Sequence, residues 1–147
     1  MFIEHISNAG ALPALRAMIS FAAERQKLIA HNIANFETPN FQPVDVSPQA
    51  FQAALADAIE QRRALNGGTH GAVSVGRGDE FEQGADGSLV LRPRTPMAGV
   101  LAHDRNSSDL ERTMQSLVEN AATFRVATDL YRARMGVMKK AIGERVG

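Results

Sequence analysis

Residues Ser108–Gly143 read SDLERTMQSLVENAATFRVATDLYRARMGVMKKAIG. Within them Leu110, Met114, Leu117, Ala121, Phe124, Thr128, Tyr131, Met135, Met138 and Ile142 recur at alternating steps of four and three. A helix has about 3.6 residues per turn, so this spacing draws one narrow apolar stripe, the seam of a left-handed coiled coil. Thr128 is the one polar member, and its methyl can still pack. Ser108-Asp109-Leu110-Glu111 has the form of a capping box, in which the Ser hydroxyl and the Glu carboxylate each take a free N–H of the first turn. Gly143 is a natural stop. A helix of about 35 residues is roughly 50 Å long. A single apolar stripe of that length is not stable in water and needs a partner along it.

A candidate partner lies at the other end of the chain. Leu15, Ile19, Ala22, Gln26, Ile29 and Ile33 repeat at the same steps, with Gln26 as the one polar member. The spacing predicts a helix from near Pro13, a residue tolerated in a first turn, to about Asn35. Ser47-Pro48 predicts a third, shorter helix over about 48–65, with Phe51, Leu55, Ala58 and Ile59 on one face and Asn66-Gly67 as its end. Residues 67–105 hold eight of the 12 Gly. There Ser88-Leu89-Val90-Leu91-Arg92 is the one candidate strand, and the rest reads as flexible or ordered by a partner. The expected organisation is therefore mostly α. Terminal segments 1–36 and 106–147 carry the seam helices. A middle segment 37–105 holds the short helix, an irregular Gly-rich region over about 66–105 and room for short strands.

Composition narrows the function. Sixteen basic and 16 acidic residues cancel, which leaves no broad basic field for nucleic acid or anionic lipid. Aromatic content is 5%, suited to long helices that pack through Leu, Ile, Met and Ala. With 0 Cys there is no disulfide framework and no thiolate chemistry. Met1-Phe2-Ile3-Glu4 lacks the basic start of a secretory signal, and no stretch approaches the roughly 18 apolar residues of a membrane span.

The first helix hands over to the middle through Asn32-Ile33-Ala34-Asn35-Phe36-Glu37-Thr38-Pro39-Asn40-Phe41. Asn35 fits a left-handed helix end, with an amide able to take orphan backbone groups. Asn32 sits a turn earlier, beside the seam, where a buried amide must find partners, within the chain or across chains. Ala34 lets a neighbouring backbone come close. Thr38 precedes Pro39 and is pushed to an extended conformation. Pro39-Asn40 is a turn pair, and Phe41 is placed to dock the outgoing chain on the helices.

This stretch resembles the N-terminal motif of bacterial flagellar axial proteins, roughly Asn-Ile-Ala-Asn-x-x-Thr-Pro-Gly-Tyr/Phe. Ala23-Glu24-Arg25-Gln26 and Leu110-Glu111-Arg112-x-Met114 narrow the resemblance to the basal-body rod protein family, its proximal members above all. Asn40 departs from the family's usual Gly, and Asn is the least costly replacement where φ is positive. The resemblance covers about residues 14–46 and 103–142. It implies terminal helices paired as a coiled coil, subunits packed helically around a central channel, and export by the flagellar type III system without a cleaved signal. It also implies a periplasmic position at the rod base, with self, other rod subunits, the export gate and membrane-ring or adaptor proteins as partners. No cofactor, nucleic acid or small-molecule substrate is implied. Asn32, Ile33, Ala34, Asn35, Thr38, Pro39, Asn40 and Phe41 would form the assembly motif beside the two seams.

The alternatives have less behind them. A cytoplasmic helical adaptor or export chaperone would use the same seams. An enzyme lacks a constellation. His5, His31, His70 and His103 share no ligand spacing, the glycines follow no phosphate-loop pattern, and Ser107-Ser108 has no nearby base. Glu80, Glu82 and Asp86 read as a solvated acidic run. Arg132, Arg134, Lys139, Lys140 and Arg145, mixed with Asp129 and Glu144, read as a solvated face.

Overall fold

The computed structural model describes residues 9–84, 86–95 and 105–143. Three helices and one hairpin follow in order: α1 Leu12–Ala34, α2 Pro48–Asn66, β1 Phe81–Gln83, β2 Leu89–Leu91 and α3 Arg105–Gly143. The chain is mostly α, with its long helices at the two ends. His5 and His103 lie outside the described residues, as does the 96–104 part of the stretch expected to be flexible.

Helix α3 begins at Arg105, a turn before the expected start. Ser108 therefore lies inside the helix, not at its N-cap position. Its 39 residues span about 58 Å, against about 35 Å for the 23 residues of α1. The two pack along each other and run antiparallel. Asn120 of α3 sits beside Ala22 and Gln26, whereas Tyr131, further along α3, sits beside Arg16, nearer the start of α1.

α1 is buried on two sides. Leu15, Ala22 and Ile29 form the seam stripe. Ala17 and Phe21, on a second stripe, enter a core with Val46, Phe51, Leu55, Ala58, Val73, Val75 and Phe81. The rings of Phe21 and Phe51 stack at 4.1 Å, and Phe81 meets Phe51 edge-on at 5.5 Å. Few aromatics are present, but three of them converge here, between α1 and the middle segment.

α2 starts and stops where local chemistry requires. The Ser47 hydroxyl accepts the Ala50 N–H at 3.1 Å, Pro48 fills the first turn, and Gly67 ends the helix with φ +63°. The acidic residues that follow also make structural contacts, although Asp86 stays exposed. The Glu80 carboxylate accepts the Ser47 N–H at 2.6 Å, so the Ser47 and Ala50 N–H groups at that helix start both have partners. Glu82 pairs with Arg92 across the hairpin. Asp86 accepts the Ser88 hydroxyl at 2.6 Å and the Ser88 N–H at 3.0 Å, which hold its carboxyl below the ordinary value.

The strands pair antiparallel, with Phe81 opposite Leu91 and Gln83 opposite Leu89. β1 was not legible as a strand, because Phe-Glu-Gln is too short to show alternation. Gly78 lets the hairpin close over the core: a Cβ there would stand 2.7 Å from the Phe81 ring. Residues 67–95 are thus anchored through Val73, Val75, Phe81 and the half-buried Leu89 and Leu91.

Candidate assembly site

The Asn32–Phe41 motif is built from backbone capture. Asn32 is buried, and its amide bonds Val44 in both directions. Nδ2 donates to the Val44 carbonyl at 2.8 Å, and the Val44 N–H donates to Oδ1 at 3.1 Å. One side chain so imitates a β-ladder partner and pins the returning chain to α1. The buried amide finds its partners inside the chain.

Asn35 does not take the left-handed conformation expected of it. Its φ is −103° and ψ 8°. The helix end is closed by its side chain instead, because Nδ2 donates to the His31 carbonyl at 2.8 Å. Two further turns follow, Thr38 N–H to Asn35 O at 2.9 Å and Phe41 N–H to Thr38 O at 3.1 Å. Asn40 carries the positive φ, +61°, and is the one non-glycine among the described residues to do so. A family Gly there is then a conformational requirement that Asn meets at small cost. The Phe41 ring lies edge-on to His31 of α1 at 5.6 Å. Ile33 and Asn35 are half-buried, while Ala34, Thr38, Pro39 and Asn40 are exposed, so the outer rim of the turn faces solvent.

The clamp continues one residue further. Arg25 is buried and donates from Nε to Asp45 Oδ1 at 2.9 Å and from Nη2 to Oδ2 at 2.6 Å. Asp45 Oδ1 also accepts the Val46 N–H at 2.8 Å, and the Asp45 backbone pairs with Arg94 in both directions. A planar, two-pronged pair of this kind fixes direction as well as distance. Arg25 thus ties α1, the chain leaving the motif and the end of the hairpin into one unit. The sequence marks Arg25 only as part of Ala-Glu-Arg-Gln. Nothing in its spacing pointed to Asp45, 20 residues away.

The seams are only partly consumed within the chain. On α1, Leu15, Ala22 and Ile29 are buried, and Ile19, Gln26 and Ile33 half-buried. On α3, Leu110, Leu117, Thr128, Tyr131, Met135, Met138 and Ile142 are half-buried, while Ala121 is exposed and Met114 and Phe124 stay 43% and 40% exposed. The residues of α3 sunk deepest are Ala127, 1% exposed, and Asn120, 3% exposed. Each lies one position before a seam residue, so α3 is turned slightly about its axis relative to the seam. Asn120 explains the turn. Its Nδ2 donates to the Ala22 carbonyl at 2.9 Å and to Gln26 Oε1 at 2.8 Å, so the one polar member of the first seam has a buried partner. The Thr128 hydroxyl is buried with no hydrogen-bond partner among the described residues.

Among the described residues no group of three His, Cys, Asp or Glu is placed to hold a metal, and no helix is long and apolar enough to cross a membrane. A shallow groove lined by Met18, Phe21, Arg25, Phe51 and Asn120 separates the three helices. Arg25 and Asn120 are already engaged there.

No protein-family model matches the chain. Curated proteins do. The flagellar basal body rod protein FlgB of Borrelia hermsii is 32% identical over 111 residues, covering 72% of this chain and 76% of that protein. The chain belongs to the FlgB family of flagellar basal-body rod proteins. The FlgB proteins of Yersinia enterocolitica and Yersinia ruckeri are 29% and 28% identical over 121 residues, each match covering 82% of this chain and 83% of the relative.

Proposed function

We propose that this chain is a structural subunit of the proximal rod, built into a helical assembly through its terminal helices. The observation that carries this reading, beside the FlgB relatives, is the state of the second seam. Met114, Ala121 and Phe124 lie on the flank of α3 that α1 leaves open. An apolar seam satisfied on one side in cis leaves surface for a second helix in trans. Heterologous contacts that do not close build tubes and filaments. The stiff element is the pair α1 and α3. The Asn32–Phe41 turn and the Arg25–Asp45 pair fix the middle segment to it, so torque applied to the helices reaches the rest of the subunit.

In this reading the assembled subunits line the export channel and form part of the drive shaft. They leave the cell interior through the flagellar type III apparatus and sit at the rod base beside the export gate and ring or adaptor proteins. The chain has no catalytic role and needs no cofactor.

The test is deletion and complementation in the flagellated host. Loss of motility with no rod formed is expected, with an epitope-tagged copy recovered in purified basal bodies. A tagged copy that restores motility yet stays wholly in the cytoplasm would favour an adaptor or export chaperone and overturn the rod assignment.

A further inference from the structure

Helix α3 carries a second apolar stripe, on the side turned away from α1. Val118, Val126, Leu130 and Val137 are 68%, 58%, 49% and 64% exposed, and Ala122 and Ala133, also exposed, lie between them. Their steps of 4, 4, 4, 3 and 4 follow one helix face. The stripe reads nearly the same in both directions. About a point between Ala127 and Thr128, Val118 mirrors Val137 and Ala122 mirrors Ala133, and Val126 and Leu130 mirror each other to within one residue. The flanking charges of opposite sign mirror to within two residues, about 3 Å along the helix: Glu119 and Arg134 along one edge, and Arg125 and Asp129 along the other. All four are exposed.

From this we propose that the stripe is an isologous interface for a second copy of the same chain, the two α3 helices lying back to back and antiparallel. A two-fold axis through the midpoint keeps each edge of one helix against the same edge of its mate, so a large residue meets a large one and a small one meets a small one. It also turns each acid toward a base, twice per pair. The stripe's mean period of about 3.8 residues exceeds the helical 3.6, so the two helices wrap with a right-handed twist. A closed pair of this type covers the apolar stripe without starting a filament. The proposal rests on the soluble chain alone and stands or falls independently of the rod reading.

Sedimentation equilibrium of the full chain tests it. The wild type is expected to be a dimer with a Kd of about 10 µM, as befits a small interface. Val126→Glu is expected to give a monomer with unchanged helical circular dichroism, since that side chain has no packing to lose. Glu119→Arg is expected to weaken the dimer about tenfold. Adding Arg134→Glu in the same chain restores the affinity, because the swapped charges again face each other. The chain has 0 Cys, so oxidising a mixture of Val118→Cys and Val137→Cys chains reports the register directly: a disulfide forms between the two variants and not within either alone. A wild type that stays monomeric to roughly thirty times that Kd overturns the proposal. So does a dimer indifferent to all these substitutions.

Discussion

Asn40 is where one backbone angle decides whether the helix-ending motif forms. At φ +61° a β-branched residue is strained, and Asn is not. Asn40→Val is expected to cost about 1–2 kcal/mol in urea unfolding, while Asn40→Gly stays within about 0.5 kcal/mol of the parent. Equal stabilities for the two variants would show that the turn does not need the left-handed conformation. Asn32→Ala removes both bonds to Val44 and is expected to cost about 2–3 kcal/mol, because a carbonyl and an N–H lose their partner together. The sequence made the turn at Asn40 legible, since Pro-Asn after an extended Thr leaves few options. It did not make Asn35 legible. The same side chain that tolerates a left-handed φ can also cap by reaching back to His31, and only the following turns, Thr38 onto Asn35 and Phe41 onto Thr38, select the second. The partner of Asn32 was out of reach, because Val44 returns only once the whole turn has formed.

The elements themselves were read from periodicity with little error, since apolar spacing at 3.6 or 3.5 residues survives any tertiary context. How each element is turned was not. Asn120 and Ala127, not Ala121 and Phe124, face α1, because Ala22 is fully buried and its carbonyl is close enough to take an amide hydrogen bond. Apolar spacing marks which residues avoid water and is silent on whether a neighbour in the same chain or another one covers them. Asn120→Leu is expected to cost about 1–3 kcal/mol despite its apolar gain, because Gln26 loses its partner in a close-packed seam. Gly78→Ala is expected to destabilise by about 1–3 kcal/mol, since the new methyl meets the Phe81 ring and the hairpin must lift from Phe51. Thermal melts of both variants measure this, and an unchanged midpoint for Gly78→Ala would mean the hairpin is not seated on the core. The hairpin's first strand was illegible for a physical reason. Phe81 is held by ring contacts and by Gly78, and three residues are too few to carry a pattern.

At the scale of the molecule, two units are joined along α1. One is the aromatic core of α1, α2 and the hairpin, and the other is the long α1–α3 pair. Arg25 and Asp45 link them, so breaking that pair is expected to loosen one unit from the other. Arg25→Ala and Asp45→Ala are each expected to cost about 2–4 kcal/mol, with the double variant far less than additive. Additive losses in urea unfolding would show that the two side chains act separately. The long pair is what a rod would use, because it runs the length of the subunit and leaves part of its seam open. Imaging of basal bodies purified from the flagellated host, with and without this gene, tests that claim most directly. The account predicts paired helices of the lengths of α1 and α3 repeating helically at the base of the rod, and no rod in the deletion strain. A complete rod in the deletion strain would contradict it.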